Sequence, residues 1–505
     1  MMLPKVLFKN NKPISTNIYK IFLEQKDKNI HNVKYLILSL QDGSNNAGRI
    51  IIKKGQKVFK NQILTLPASN SNNTPIHSPC NGIIEEISSE DHLYIKELKT
   101  TNIKIKILDN SPSPPHRFIE SRQWDFINIL NYNNLITKIR YSGIIGLGGA
   151  GFPSFKKILN QKIDYLIING AECEPPISAD AALMSDTKLV KNIISGITIL
   201  KNILTKYNNN LKIIIAIEDN KKLAIKNFKK IIKHLSSSLN IILKTIPSAY
   251  PNGDAKYLIN LLLNKTIPKN QHSTAHGILC FNVATVYSIY NAVYKNQPLT
   301  HRIVTISGNA IKNPCNYEFP IGIPITKILE ILDLKDKSKL NITMGGYFMG
   351  VSINNFEAGI LKTTNSLIIN YKENQDKKIS ECINCGFCVS KCPQNLLPQQ
   401  LYKFSKNEDI NNLKNNNVMH CIECGLCDTA CPSNINITEY IQYGKNLIKN
   451  NTEQHNFSKE LKQRYDNFQN RKLKLEQKKQ ESSKAQTKIN KSELLKQALA
   501  RAKNK

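Results

Sequence analysis

The chain has 505 residues, enough for several domains, and carries a formal net charge of +32 from 70 Lys and Arg against 38 Asp and Glu. Only eight of the basic residues are Arg, the residue that does most base-edge recognition, so we expect no nucleic-acid partner. No apolar run reaches the ~18 residues of a membrane-spanning helix, and the N-terminus lacks the apolar segment of a signal peptide. We therefore expect a cytoplasmic protein, or one attached to a membrane through partners.

The first predicted domain, residues 1–115, consists of short strands broken by turns, for example at 49–52 and 57–59. This rhythm resembles the barrel-sandwich fold of biotinyl and lipoyl carrier domains. A carrier domain needs a lysine at a hairpin tip for its swinging arm, yet no lysine lies between Lys60 and Lys96. The sequence therefore predicts a structural module rather than a carrier.

Residues 130–300 alternate between strand-like runs, as at 165–168 and 212–217, and helix-like runs, as at 221–235. This alternation is typical of α/β layering, in which helices pack on a sheet. Shorter strands follow, then a polar linker, a cysteine-rich segment and a charged tail without cysteine. The chain therefore divides into five predicted segments, residues 1–115, 130–300, 301–350, 370–445 and 452–505.

The glycine-rich stretch GLGGAGFPSFKK at 146–157 places Gly146, Gly148 and Gly151 at the G-x-G-x-x-G spacing of a dinucleotide-binding turn. A short apolar segment precedes it, and Glu172 follows at about the 20-residue distance expected for an acidic partner. The motif alone leaves two interpretations open. The stretch is either a phosphate-binding loop or a glycine loop that matches the pattern by chance.

Two cysteine-rich stretches, 382–393 and 421–432, repeat the pattern C-x2-C-x2-C-x3-C-P of bacterial two-cluster ferredoxins. Zinc sites instead use paired C-x2-C units with a longer gap, so the pattern predicts two [4Fe–4S] clusters. The fourth cysteine of each run ligates the other cluster. The predicted ligands are Cys382, Cys385, Cys388 and Cys431 for the first cluster, and Cys421, Cys424, Cys427 and Cys392 for the second.

Two adjacent clusters carry single electrons and perform no chemistry on an organic substrate by themselves. Another part of the chain must accept an electron pair as hydride and release the electrons singly. Flavin is the cofactor that does this, which gives the glycine loop a candidate function.

The runs GLGGAGFP at 146–153 and NGAECEP at 169–175 closely resemble the flavin- and NADH-binding subunit of respiratory complex I. Together with the cysteine motifs, they make the chain similar to the C subunits of Rnf-type ion-translocating oxidoreductases over roughly residues 5–440. The resemblance implies a multidomain α/β plus β fold. Its parts are a barrel-sandwich N-terminal domain, a complex I flavin-subunit-like α/β domain, a β-grasp-like module and a twin-cluster helical ferredoxin domain.

The resemblance also implies a set of cofactor-binding residues and no catalytic residue beyond the cofactors. In that family the backbone amides of the glycine loop embrace the phosphates of flavin and nucleotide. Lys157 and Asn282 would contact the flavin phosphate region. Asn169 and Glu172 would bind the flavin, and Phe152 and Glu174 would meet NADH. The implied FMN- and NADH-binding residues are Gly146, Gly148, Gly149, Gly151, Phe152, Lys157, Asn169, Glu172, Glu174 and Asn282.

One segment departs from the family pattern. Where the family reads approximately Tyr-Pro-x-Gly-Gly-Glu-Lys, residues 250–256 read YPNGDAK. A glycine and a carboxylate are lost, and Asp254 stands one position early. The departure bears on nucleotide affinity and on flavin binding, and leaves the cysteine motifs untouched.

The expected function is an electron-input subunit, peripheral on the cytoplasmic side of the inner membrane. NADH would reduce flavin, the two clusters would pass electrons to partner subunits, and those subunits would couple the flow to ion movement. Two alternatives stay open. One is a soluble flavin and iron–sulfur oxidoreductase that reduces a ferredoxin. The other is a cluster-bearing adaptor with a vestigial flavin site, whose basic tail at 452–505 docks on membrane or nucleic acid.

Overall fold

The computed structural model describes residues 14–20, 33–43, 45–67, 73–91, 99–108, 132–159, 161–174, 176–235, 239–268, 271–334, 336–372 and 379–503. The chain divides into two compact units, residues 1–377 and residues 378–505. Within the described ranges, the first unit holds every strand and the second is helical.

The secondary-structure elements are numbered here in chain order. The described strands are β1 Ile18–Lys20, β2 Tyr35–Ser39, β3 Gln41–Asp42, β4 Asn45–Asn46, β5 Arg49–Ile50, β6 Lys57–Val58, β7 Thr65–Leu66, β8 Gly82–Asp91, β9 Lys99–Ile107, β10 Tyr165–Gly170, β11 Lys212–Glu218, β12 Ile241–Ile246, β13 Ile278–Asn282, β14 His301–Ser307, β15 Cys315–Pro320, β16 Leu340–Met344, β17 Val351–Ile353 and β18 Ser366–Tyr371. The described α-helices are α1 Tyr132–Tyr141, α2 Ser154–Ile158, α3 Ala179–Ser185, α4 Thr187–Leu204, α5 Lys222–Lys233, α6 Ala255–Leu263, α7 Val283–Lys295, α8 Ile325–Ile331, α9 Phe387–Lys391, α10 Pro398–Lys406, α11 Ile410–Asn415, α12 Leu426–Thr429 and α13 Ile437–Lys503.

The N-terminal part forms an antiparallel sheet of order β2–β9–β8–β6, with two short two-stranded pairs, β3–β4 and β5–β7. Alternate residues of β2 and β9 are buried, among them Leu36, Leu38, Ile103 and Ile105. This period of two is what a sheet with one face on the core requires.

The α/β part is a four-stranded parallel sheet of order β12–β11–β10–β13. Six of the seven residues of β11 are buried, because helices cover both faces of a parallel sheet. The predicted strands at 165–168 and 212–217 and the predicted helix at 221–235 are confirmed as β10, β11 and α5. Asp186 caps the start of helix α4, and its carboxylate accepts hydrogen bonds from the amides of Lys188 and Leu189.

A third sheet of the first unit has six strands in the order β1–β15–β14–β18–β16–β17. Its strands come from distant stretches of the chain, because β1 pairs in parallel with β15 and β14 pairs in parallel with β18. The segment 301–350 supplies β14, β15 and β16, and the other three strands lie outside it.

The second unit packs short helices around a core that includes Leu401, Leu413, Val418 and Ile441. Its last helix, α13, is 67 residues long and leaves apolar side chains such as Phe457 exposed. In the described ranges, no helix combines the length and apolar character needed to cross a membrane.

A buried polar junction joins strand β3 of the N-terminal part to Gly143, just before the glycine loop, and to the segment between β17 and β18. The Asp42 carboxylate accepts hydrogen bonds from the amide of Lys362 and the hydroxyl of Thr363. The Lys362 ammonium donates to the carbonyls of Pro75 (3.1 Å) and Gly143 (2.9 Å). Burial lowers the pKa of Lys362 to about 8, and the neighbouring Asp42 charge opposes that shift.

Removing the carboxylate of this junction should destabilise the first unit. In Asp42→Ala, the buried Lys362 ammonium loses its compensating charge, a change that typically costs about 3–5 kcal/mol. Glu86→Ala removes an exposed carboxylate of strand β8 in the same unit and should change stability by less than about 0.5 kcal/mol. Chemical denaturation of the full chain measures both. Equal denaturation midpoints for the two variants would contradict this role of the junction.

Candidate functional site

The glycine loop 146–151 is closed at both ends by its own backbone. Gly146 donates to the carbonyl of Phe152 (2.8 Å) and Gly151 donates to the carbonyl of Gly146 (3.2 Å). Leu147 is fixed on both sides, because its amide donates to the Thr285 hydroxyl (2.9 Å) and its carbonyl accepts from the Arg302 guanidinium (2.8 Å). The loop is therefore rigidly held next to the start of α7.

The tip of the loop faces open space. Gly149 has a φ of +118°, and a Cβ at this position would meet no atom within 4 Å. A Cβ at Gly148 would touch only Asn282, at 3.4 Å. The amides of Gly148 and Gly149 donate to no acceptor among the described residues. Two free donors at an open loop tip are the arrangement that backbone recognition of a phosphate requires.

Lys157 supplies a positive charge without an ion pair. Its ammonium lies 5.6 Å from the centre of the Phe281 ring and forms no hydrogen bond or salt bridge with any described residue. Burial lowers the pKa of Lys157, and the nearby Cys280 opposes that shift. A desolvated ammonium in this state gains from an anionic ligand.

Asn169 and Asn282 end the neighbouring strands β10 and β13 and are register partners across the sheet. Asn169 accepts from the Ala171 amide (2.9 Å) and donates to the Gly253 carbonyl (2.9 Å). Asn282 caps α7 by accepting from the amides of Ala284 and Thr285. Both therefore position the loops at the carboxyl edge of the parallel sheet, which is where ligands bind in open α/β folds.

The Glu172 carboxylate accepts the amides of Asp180 (3.0 Å) and Ala181 (3.1 Å) at the start of α3. Burial, followed by the charge of Asp180, raises the pKa of Glu172 to about 7. The structure thus places this predicted flavin contact in a hydrogen-bonded position between β10 and α3.

Two buried carboxylates of this edge, Asp180 and Glu218, were not found by sequence reasoning. Asp180 Oδ1 and Glu218 Oε1 have no hydrogen-bond partner among the described residues. Their second oxygens accept from the side chain of Asn282 and from the amide of Glu172, respectively. Burial raises the pKa of both groups. One sequence signal for Glu218 was available. Glu218 is the last residue of β11, and ligands of open α/β sheets bind at the carboxyl ends of the strands.

The two residues expected to meet NADH differ in exposure, and Glu174 is half-buried. Phe152 is 37% exposed and directly follows the glycine loop. Glu174 accepts hydrogen bonds through Oε1 from the amides of Phe348 and Met349, which belong to the loop between β16 and β17. The carboxylate is therefore already bound on one side.

In segment 250–256, which departs from the family pattern, the carboxylate has a structural role. Asp254 caps α6, accepting the amides of Lys256 (2.9 Å) and Tyr257 (3.2 Å). The Gly253 amide donates to the Cys173 sulfur (3.2 Å). The segment therefore packs against residues 169–174 through backbone groups.

The eight motif cysteines line two cavities in the second unit. One is lined by Cys382, Cys385, Cys388 and Cys431, and the other by Cys392, Cys421, Cys424 and Cys427. Each cavity thus takes three thiols from one motif and the fourth from the other. The two motifs share a backbone conformation, with positive φ at Asn384 and Glu423 and at Gly386 and Gly425.

The two cavities differ in exposure. Cys385 is exposed in the first, whereas Cys424 and Cys427 are buried in the second. Burial raises the pKa of the Cys424 thiol to about 11. Beside the second cavity, the buried Lys445 ammonium donates to the Cys421 carbonyl (2.7 Å) and pairs with Glu423.

Comparisons with known families and proteins agree with both sites. Residues 139–291 match the Nuo51 FMN-binding domain, and residues 381–435 match the 4Fe-4S dicluster domain. The coarse fold expectation, mixed α/β with several sheets plus a ferredoxin-type domain, is confirmed. The glycine loop therefore lies within the part of the chain that matches an FMN-binding domain.

The chain is similar to two curated proteins, each named as the C subunit of an ion-translocating oxidoreductase complex. The protein from Yersinia pestis is 34% identical over 387 residues, which is 76% of this chain and 60% of that protein. The one from Haemophilus influenzae is 36% identical over 378 residues, 74% of this chain and 44% of that protein. The chain thus spans about half the length of these relatives, and the resemblance expected from the sequence is confirmed.

A solved structure also aligns with the chain. It is the crystal structure of an NAD+-reducing [NiFe]-hydrogenase in the air-oxidized state, at 16% identity and a TM-score of 0.43, covering 59% of this chain and 60% of that one. A TM-score this low carries no argument about fold or function.

A side chain at the open loop tip should exclude flavin. Gly149→Val puts a branched side chain into the open space at the loop tip, where a Cβ would meet no protein atom within 4 Å. That side chain should block the approach of the flavin phosphate. The absorbance of the clusters in the second unit should not change. Gly55→Val is the matched control, because Gly55 also has positive φ (+80°) and open surroundings but lies in the N-terminal sheet domain. The flavin content of both variants measures the effect. Wild-type flavin content in Gly149→Val would contradict the assignment.

Proposed function

About three quarters of this chain are homologous to the C subunit of ion-translocating oxidoreductase complexes, and from this premise we propose that it is the electron-input subunit of such a complex. NADH is the proposed electron donor, and the other subunits of the complex receive the electrons. Those subunits would couple the electron flow to ion movement. The complex would hold this chain at the cytoplasmic face of the inner membrane.

The observation that supports this proposal most is the presence, on one chain, of an open phosphate-type loop and two four-thiol cavities. When bound, flavin accepts an electron pair as hydride and releases single electrons, and [4Fe–4S] clusters carry them onward. The residues present fit both groups, since free amides and an unpaired ammonium suit the flavin phosphate, and eight clustered thiols suit two clusters.

The residues of the first unit have distinct proposed roles. The amides of Gly148 and Gly149 and the Lys157 ammonium would bind the flavin phosphate, and Gly146 and Gly151 close the loop that presents those amides. The buried Asp180 and Glu218 carboxylates would support the site from behind, Asp180 by accepting from the Asn282 side chain and Glu218 by accepting from the Glu172 amide. Asn169, Glu172 and Asn282 hold these groups in place. Phe152 and Glu174 lie on the NADH side.

The cysteines are proposed to ligate two [4Fe–4S] clusters in the crossed arrangement. Cys431 completes the set of Cys382, Cys385 and Cys388, and Cys392 completes the set of Cys421, Cys424 and Cys427. The lining of the two cavities supports this assignment. Amide donors to the Cys392 and Cys421 sulfurs, from Leu396 (3.4 Å) and Glu423 (3.3 Å), would stabilise thiolate charge.

NADH should reduce the purified chain without any partner. Under anaerobic conditions, adding NADH to the holoprotein should bleach flavin absorbance first and cluster absorbance next. A cluster-bearing adaptor without a working flavin site would show no bleaching with NADH, although dithionite would still reduce its clusters. That outcome would contradict the proposed function, and stopped-flow absorbance spectroscopy distinguishes the two.

Paired cysteine substitutions should reveal the crossed ligation. Cys392→Ser with Cys421→Ser should injure one cluster and leave the other with a normal electron paramagnetic resonance signal, because both residues face the same cavity. Cys392→Ser with Cys382→Ser should injure both clusters. The reverse result would mean that each motif binds its own cluster.

A further inference from the structure

The loop between β16 and β17, residues 345–350, contacts a carboxylate that belongs to a different sheet. Glu174 Oε1 accepts hydrogen bonds from the amides of Phe348 and Met349, the latter at 2.9 Å. Glu174 Oε2 accepts none from any described residue. One oxygen of this carboxylate is therefore satisfied by protein, and the other is available to a ligand.

Hydrogen bonds to β18 and within the loop fix the conformation of loop 345–350 independently of Glu174. The Gly345 amide donates to the Ser366 carbonyl (2.9 Å), and the Ser366 hydroxyl donates to the Gly345 carbonyl (2.7 Å). The Gly350 amide donates to the Gly346 carbonyl (2.9 Å). Because the hairpin is closed in this way, its two amide donors are preformed for the carboxylate.

The Glu174 carboxylate lies so close to the loop that no side chain fits at Gly346. A Cβ at Gly346 would lie 1.9 Å from Glu174 Cδ and closer than 2.5 Å to both carboxylate oxygens. A second contact supports the same placement, since the Phe348 ring stacks on Tyr250 with centroids 4.6 Å apart. The loop therefore packs against Tyr250 as well as against Glu174.

We propose that loop 345–350 is a positioning element of the NADH site, which fixes Glu174 through Oε1 so that Oε2 accepts a hydrogen bond from the nucleotide. This inference rests on the proposed function, in which Glu174 faces NADH. Burial raises the pKa of Glu174, and the two loop amides oppose that shift, so the loop also favours the ionised acceptor. A carboxylate held in advance loses less freedom on binding than a mobile one.

Three variants of the full-length holoprotein test the proposal. Gly346→Ala displaces Glu174 and should raise the Kd and KM for NADH about tenfold, with kcat, flavin content and iron content unchanged. Asn354→Ala is the matched control, because Asn354 is exposed just beyond β17 and lies outside loop 345–350; it should match the wild type. Glu174→Gln retains an acceptor for the loop but replaces Oε2 by an NH2 group, and should weaken NADH binding as much as Gly346→Ala.

Hydrogen exchange of the amides of Phe348 and Met349 provides a readout that does not depend on activity. Exchange should be slow in the wild type and in Glu174→Gln, fast in Gly346→Ala, and still slow when NADH is added. Release of these amides by NADH would mean that the nucleotide displaces the loop, which overturns the proposal.

Two further outcomes separate this inference from the proposed function. A wild-type Kd for NADH in Gly346→Ala or in Glu174→Gln would overturn the positioning role alone. Absence of NADH binding by the wild-type holoprotein would overturn the proposed function, and the positioning role with it.

Discussion

The candidate site depends on how Glu172, Asp180 and Glu218 are accommodated together at the carboxyl edge of the parallel sheet. Buried carboxylates are costly unless they are paired or hydrogen-bonded. The structure compensates part of this charge through the amides at the start of α3, the Asn282 side chain and the nearby cations Lys221 and Arg302. Burial still raises the pKa of all three groups, to about 7 for Glu172. Two of their oxygens, Asp180 Oδ1 and Glu218 Oε1, have no hydrogen-bond donor among the described residues.

Distant parts of the first unit support this region. A Cβ on Gly151 would lie 2.6 Å from the Asp42 carbonyl, and a Cβ on Gly43 would lie 2.7 Å from that of Ala150, so strand β3 and the turn after it pack directly against the glycine loop. From the six-stranded sheet, Arg302 donates to the Leu147 carbonyl, and loop 345–350 binds Glu174. These contacts hold the backbone rigidly, as a loop with free amide donors requires.

Patterns local in sequence were predictable, and contacts distant in sequence were not. Short-range rules interpret the spacing of the cysteines, the spacing of the glycines and the apolar runs of β10 and β11. The sequence therefore indicates the two cluster motifs and the flavin-type sheet. Asp180 and Glu218 belong to no motif, because Glu218 joins the site from 46 residues beyond Glu172. The contact between Glu174 and Met349 spans 175 residues and leaves no spacing signal. The strand β1 joins a sheet nearly 300 residues away, which no local pattern indicates.

A chain that holds both a flavin site and two [4Fe–4S] clusters should purify under anaerobic conditions with one flavin and about eight iron atoms. Flavin and iron analysis of the full-length protein measures both. Iron at that level without flavin would contradict the proposed electron-input function, because the open glycine loop would then hold no cofactor.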